Sequence, residues 1–396
     1  MLWQSLRPLI LAFTAATFAA CGGGSSDAPP PPPPPPVSYT YSVPADVGDG
    51  WQVADLADEG FETQMIVDMM DDILDGTFPG IDSVAIVRNN KLVHYWYDRG
   101  RELDQFDNWI GNLDRERHVL HSTSKSFTSA LIGIAIDQGH IASTQVKFLD
   151  LFPYADYNNW DPRKDDITLE DALTMRLGIE WDEWSLPYTN PSNDLVFLNS
   201  NNSDWAKALL DRRLAISPGI RFVYNTAATN AIGQALENAT GEPMGQYANT
   251  HLFYPMQITD ADWGTTPTGL PIGGSGLFLK TRDLAKFGQL YLDGGMWQGQ
   301  QLISAAWIAD SVVPHVDVRN IVSFSYGYGY QWWLDSLPYG TTPMETWVTS
   351  GYGGQYVFVV PGLELVVAFT GHNYENGQGV ANLYTIVPFR IMSAIN

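Results

Sequence analysis

The chain has 396 residues, with 44 acidic against 21 basic side chains and a formal net charge of −23. That charge argues against nucleic acid and anionic membrane surfaces as partners. A single cysteine, Cys21, rules out an internal disulfide and leaves no cysteine cluster for a zinc site.

Residues 1–20 carry one early charge, Arg7, then an apolar stretch from Leu9 to Phe18 and small residues before Cys21. This is the pattern of a secretory signal, too short for a stable membrane span. Phe18-Ala19-Ala20-Cys21 also resembles a bacterial lipobox. That implies cleavage before Cys21, lipidation of its thiol, and a bacterial cell-envelope location with membrane contact only through the lipid. Residues 21–45 read as a tether, flexible over Gly22–Ser26 and stiffened by the proline run Pro29–Pro36 into a polyproline helix. A folded domain is expected over 50–396.

Within it, a helix is expected from Phe61 to Leu74; its Asp68, Asp71, Asp72 and Asp75 form a solvated acidic face without the spacing of a calcium loop. Ser83 to Arg88 and Leu92 to Tyr97 read as a hairpin around Asn89-Asn90. Helices follow at Lys125–Gln138 and at Leu169–Arg176, the latter with Thr168 and Asp171 as a capping box. Others fall near Asp204–Arg213, Ala227–Asn238, Arg282–Leu292 and Ala305–Val312. Strands return at Tyr328–Leu334, Tyr356–Val360 and Leu365–Thr370, before an amphipathic stretch from Val380. The first hairpin and the last strands should form one antiparallel sheet, covered by the first and last helices. The middle, about 116–265, is a mostly helical lobe, and sites prefer the cleft between such lobes.

Chemistry concentrates in His121-Ser122-Thr123-Ser124-Lys125-Ser126. Residues i and i+3 share a helix face, so the Ser122 hydroxyl and the Lys125 amine can meet. An amine whose charge is disfavoured by burial can serve as base for a serine nucleophile. The apolar run Phe127, Ala130, Leu131 and Ile134 buries that helix. Two further stretches are distinctive: Tyr224-Asn225-Thr226 at a helix start, and Thr349-Ser350-Gly351-Tyr352-Gly353-Gly354-Gln355 leading into a strand. Other chemistries lack their motifs. Gly273-Gly274-Ser275-Gly276-Leu277 fails as a nucleophile elbow at its last position, Lys280-Thr281 follows leucine and is no P-loop, and His118 with His121 lacks the H-E-x-x-H that a zinc site needs.

With these three motifs the chain resembles, over roughly residues 55–396, the serine β-lactamase and penicillin-binding-protein superfamily, in its class C-like branch. That branch includes esterases, D-amino-acid peptidases and 6-aminohexanoate-dimer hydrolases. The resemblance implies an α/β (α+β) transpeptidase-like fold, an antiparallel sheet flanked by helices plus an inserted helical lobe. It implies Ser122 as acyl-accepting nucleophile, Lys125 as base partner and Tyr224 as proton shuttle, the last favoured as phenolate by the lysine ammonium. The oxyanion hole would be the amides of Ser122 and Tyr352, and neither metal nor cofactor is implied. Thr226, Thr349, Ser350 and Gly351 fall on substrate-binding positions, with Gly351, Gly353 and Gly354 admitting substrate close to the strand. Trp181, with Trp184 and Tyr188, is expected to wall the cleft. Two departures stand out: Thr226 replaces an amide, and Thr349 replaces a lysine or histidine. The expected reaction is hydrolysis of a small ester or amide through an acyl-enzyme. True β-lactamase or D-alanyl peptidase activity, and a non-catalytic binding lipoprotein, are the alternatives.

Overall fold

A computed structural model describes residues 38–266, 268–374 and 378–396. The signal-like segment 1–20, Cys21 and the proline run lie outside the described residues. The last part of the expected tether does not hang free. The Tyr39 amide donates to Asp71, the Tyr41 hydroxyl donates to the Val93 carbonyl at 3.1 Å, and the Ala45 carbonyl accepts from Arg282 at 3.0 Å.

The described residues build a nine-stranded sheet. In chain order its first strands are β1 (Gln52–Val53), β2 (Ile81–Arg88) and β3 (Lys91–Tyr97), the last two joined at Asn89 and Asn90. Both asparagines sit at positive φ, 49° and 60°, the geometry a tight hairpin needs and asparagine tolerates. A small separate sheet holds β4 (Arg117–Val119), β5 (Asp262–Trp263) and β6 (Leu277–Lys280), and β7 (Met296–Trp297) pairs β8 (Gln300–Gln301). The main sheet resumes with β9 (Val316–Asp317), β10 (Gly327–Tyr328), β11 (Trp333–Tyr339), β12 (Thr342–Gly351), β13 (Gln355–Val360) and β14 (Leu365–Gly371). Its order is β1-β3-β2-β14-β13-β12-β11-β10-β9, antiparallel except where β1 runs parallel to β3.

β2, β13 and β14 are almost wholly buried, so both faces of the sheet are covered and these strands read as continuous apolar runs. Alternation divides them between two cores. Val84, Ile86, Phe358, Val360, Val367 and Phe369 face α1 (Thr63–Leu74) and the C-terminal residues Val387 to Ile395. Ala85, Val87, Val357, Val359, Val366 and Ala368 face the larger core that contains α2 (Ser124–Asp137) and, further along, α8 (Thr281–Leu292). The expectation that the first and last helices cover the sheet thus holds for one face; the other belongs to α8 and the helical lobe.

That lobe carries α3 (Leu169–Leu173), α4 (Asp194–Asn201), α5 (Trp205–Leu210), α6 (Thr226–Thr240) and α7 (Met244–Ala248); α9 (Ala305–Ser311) and α10 (Gln378–Ile386) follow. The capping box of Thr168 and Asp171 is formed, but α3 stops at Leu173, three residues short of expectation. Met175 lies at φ 60°, which turns the chain so that its carbonyl accepts from Val223. α4, which was not among the expected helices, is started by Asn193, whose side chain accepts from Leu195 and Val196. The strand expected over Tyr328–Leu334 is instead a hairpin tip, with β10 and β11 turning at Gln331 (φ 65°). The buried Gln331 amide donates to the Leu173 carbonyl at 2.6 Å and accepts from Thr229 at 2.8 Å, so this turn is held by the helical lobe.

Candidate active site

Ser122 lies in a 3-10 turn, His121–Thr123, that leads into α2. From Ser124 to Ala135 every residue of α2 is buried, the mark of a central helix that is packed on all sides. The turn is anchored from both directions. The Leu120 amide donates to the Leu277 carbonyl at 2.7 Å, and the Leu120 carbonyl accepts from Thr123 at 3.1 Å. His121 sits at φ 45°, in the left-handed region disfavoured for a non-glycine residue, immediately before Ser122.

Lys125 is 2% exposed, and its Nζ donates to Ser122 Oγ at 2.9 Å and to the Gly274 carbonyl at 2.8 Å. Burial drives its pKa down to about 7, against an opposing pull from the Glu183 carboxylate. At neutral pH a large share of this amine is therefore uncharged and able to accept a proton. The same Nζ lies 5.0 Å from the centre of the Tyr224 ring.

Tyr224 precedes α6, whose start is capped by Asn225 accepting from Ala228 at 2.9 Å. Trp184 stacks on its ring at 5.0 Å. The expectation that lysine would favour a phenolate is overturned. Burial, then the negative charge of Glu183, push the Tyr224 pKa up, with the Ser122 hydroxyl pulling weakly the other way. The phenol stays protonated at neutral pH.

The structure brings Ser122, Lys125 and Tyr224 together; most of the expected substrate contacts are occupied otherwise. Thr226 is 2% exposed and spends both its amide and its hydroxyl on Glu183, at 2.7 and 2.6 Å, leaving no hydrogen to offer a substrate. Thr349 is 1% exposed, and its oxygen accepts from Thr123 at 3.2 Å and from the Val357 amide at 3.0 Å. Ser350 donates to the Tyr356 hydroxyl. Two of the three glycines, Gly351 and Gly353, make room for protein, not substrate. A Cβ on Gly351 would fall 2.3 Å from the Leu120 carbonyl oxygen, and one on Gly353 would fall 2.3 Å from the Tyr374 ring. Trp181 does line a cavity, of about 240 Å³, together with Trp184, Arg221, Phe222, Tyr224 and Ile321.

Aromatic rings complete the surroundings. His121 packs edge-on against Phe106 at 4.7 Å and against Trp109, Tyr352 and Tyr374 at 5.7 Å each. Burial and the neighbouring Lys125 hold its pKa near 3, so it is a neutral wall. His118 points elsewhere, with its Nε2 3.6 Å from the Asp82 carboxylate. Sequence reasoning missed Phe106, Trp109, Tyr374 and above all Glu183. The Trp181–Tyr188 stretch was legible as a cleft wall, but nothing local marked its glutamate as buried.

A serine hydroxyl bonded to a buried amine at the head of a central helix, beside the antiparallel strands β12 and β13, is the arrangement of a serine hydrolase. The chain belongs to the beta-lactamase family, whose model matches residues 63–386. It is 24% identical over 309 residues, 72% of this chain and 71% of the relative, to the 6-aminohexanoate-dimer hydrolase of Paenarthrobacter ureafaciens. Its fold is similar to that of a family VIII carboxylesterase (TM-score 0.60, 17% identity, 81% of this chain and 95% of that one). It is also similar to that of EstCE1, a hydrolase with promiscuous acyltransferase activity (TM-score 0.63, 17% identity, 86% and 99%).

Proposed function

We propose that this protein hydrolyses small esters or amides through an acyl-enzyme on Ser122. The observation that carries the reading is the 2.9 Å contact between Ser122 Oγ and a fully buried Lys125 whose pKa is brought to about 7. Ser122 Oγ attacks the carbonyl carbon and gives its proton to Lys125 Nζ. The carbonyl electrons move onto oxygen, where the amides of Ser122 and Tyr352 stabilise the charge. As the bond to the leaving group breaks, the Tyr224 hydroxyl protonates the departing alcohol or amine, and the lysine ammonium returns a proton to the tyrosine. Water then attacks the acyl-serine by the reverse route. Tyr224 acts as a neutral donor, in keeping with its raised pKa.

The substrate class follows from what surrounds the serine. Thr349 is buried with its hydroxyl already bonded, so that position offers no cation to a carboxylate beside the scissile bond, and an unpaired carboxylate is costly to bury. The exposed faces of Trp109, Trp184 and Tyr352 suit apolar acyl or alkyl groups. The hydrolase and carboxylesterase names among its relatives point the same way. The test is mass spectrometry after exposure to a fluorophosphonate, expecting the adduct on the Ser122 peptide, with kcat/KM for 4-nitrophenyl butyrate exceeding that for a chromogenic cephalosporin. No adduct, or a faster cephalosporin, overturns it. We further propose that the protein is exported and held at a bacterial envelope through lipid on Cys21.

A further inference from the structure

Glu183 is 2% exposed, yet its carboxylate collects four hydrogen bonds from three directions. Oε2 accepts from Trp181 Nε1 at 2.8 Å and from the Thr226 amide at 2.7 Å; Oε1 accepts from the Thr226 hydroxyl at 2.6 Å and from the Tyr188 hydroxyl at 3.0 Å. Trp181 and Tyr188 belong to the loop that walls the cleft, whereas Thr226 opens the helix that follows Tyr224. The loop is closed from behind as well, since Asn193 Nδ2 donates to the Glu183 carbonyl at 3.0 Å and to the Leu186 carbonyl at 2.8 Å.

We propose that Glu183 is the positioning residue of this site: its buried carboxylate clamps the 181–188 loop to the head of α6 and sets the field in which Lys125 and Tyr224 exchange protons. The inference rests on the roles given above to Ser122, Lys125 and Tyr224. A carboxylate held by four donors in a dry setting acts on its neighbours over longer range than it would in water. Lys125 and Tyr224 both respond to it, as do Tyr188 and Tyr328. His121 also feels Lys125 but is neutral. On the solvent side, Asp182 is turned to the Trp184 and Ser185 amides, Asp194 pairs with Arg212 at 2.9 Å, and Arg221 borders the cavity. Without the Glu183 charge, protonated Lys125 loses a favourable partner, so its pKa should fall and the weaker base should work more slowly.

The test compares wild type, Glu183→Gln and Glu183→Asp by the pH dependence of kcat/KM for 4-nitrophenyl butyrate, by thermal melting and by fluorophosphonate labelling. Glu183→Gln is expected to shift the acid limb downward by on the order of one pH unit and to lower the plateau about tenfold or more. Glu183→Asp keeps the charge but falls short of its donors, so the limb should stay while the plateau drops. A Glu183→Gln enzyme that melts earlier with an unmoved limb makes the residue structural only and overturns the proposal. If Glu183→Gln does not fold, a displaced limb in Glu183→Asp overturns it equally. Failure of wild type to label at Ser122 is a different result, one that sinks the catalytic reading itself.

Discussion

Gly351→Ala tests how the nucleophile is held in place. The methyl group would sit 2.3 Å from the Leu120 carbonyl oxygen and 2.8 Å from Gln355 Cβ, where ordinary contacts begin near 3.4 Å. About 1 Å must therefore be found, and the obstructing atom is backbone. Leu120 is bonded at its amide to Leu277 and at its carbonyl to Thr123, so it cannot retreat without dragging the turn that carries Ser122. Overpacking of this kind costs about 1–3 kcal/mol, and a misplacement of about 1 Å at a reacting group costs on the order of 10²-fold in rate. The assay is kcat/KM on 4-nitrophenyl butyrate beside a melting curve, with Gly245→Ala as control. A Cβ on that helical glycine meets nothing nearer than Trp263 Cβ at 3.9 Å, so the control should be neutral or slightly stabilised. The reasoning is refuted if Gly351→Ala retains activity within about threefold of wild type, since a shift of that size could not then have reached Ser122.

Ser122→Ala should abolish ester hydrolysis without changing the melting temperature, and Lys125→Ala or Tyr224→Phe should each lower kcat by on the order of 10²-fold or more; a nearly silent Tyr224→Phe would leave Lys125 as sole proton carrier. In wild type, kcat/KM should fall as pH drops through about 7, because Lys125 must be unprotonated to act as base, and an acid limb near pH 4 would point to a carboxylate base instead. Asp107→Ala should destabilise the fold by about 3–5 kcal/mol in chemical denaturation, since it strands the buried Arg101 guanidinium now held at 2.9 Å; a loss under about 1 kcal/mol would mean water reaches that arginine. Cys21→Ser should turn a membrane-pelleting, lipid-labelled protein into an unprocessed or soluble one, while absence of fatty-acid label on wild type would exclude the lipid anchor.

What could be read from the sequence alone were features written within a few residues. The i, i+3 spacing of Ser122 and Lys125 is meaningful in any helix, the Asn89-Asn90 turn selects its own hairpin, and Thr168 with Asp171 caps α3 without outside help. Tyr224 was legible only through its motif, and its protonation was misjudged because burial, reinforced by the charge of Glu183 from 41 positions away, is set by packing and not by the local sequence. The errors share that cause. Gln331 turns a seemingly continuous strand into a hairpin because Leu173 and Thr229 take its side chain. Gly351 and Gly353 looked like space for substrate until Leu120 and Tyr374 were found filling it. Thr226 and Thr349 likewise face protein partners distant in sequence, Glu183 and Thr123. Short-range geometry and the identity of the reacting groups are properties of the chain. Whether a buried group is charged, and whether a hydroxyl or a glycine is available to a ligand, depends on the neighbours that packing brings to it, and those only the tertiary structure decides.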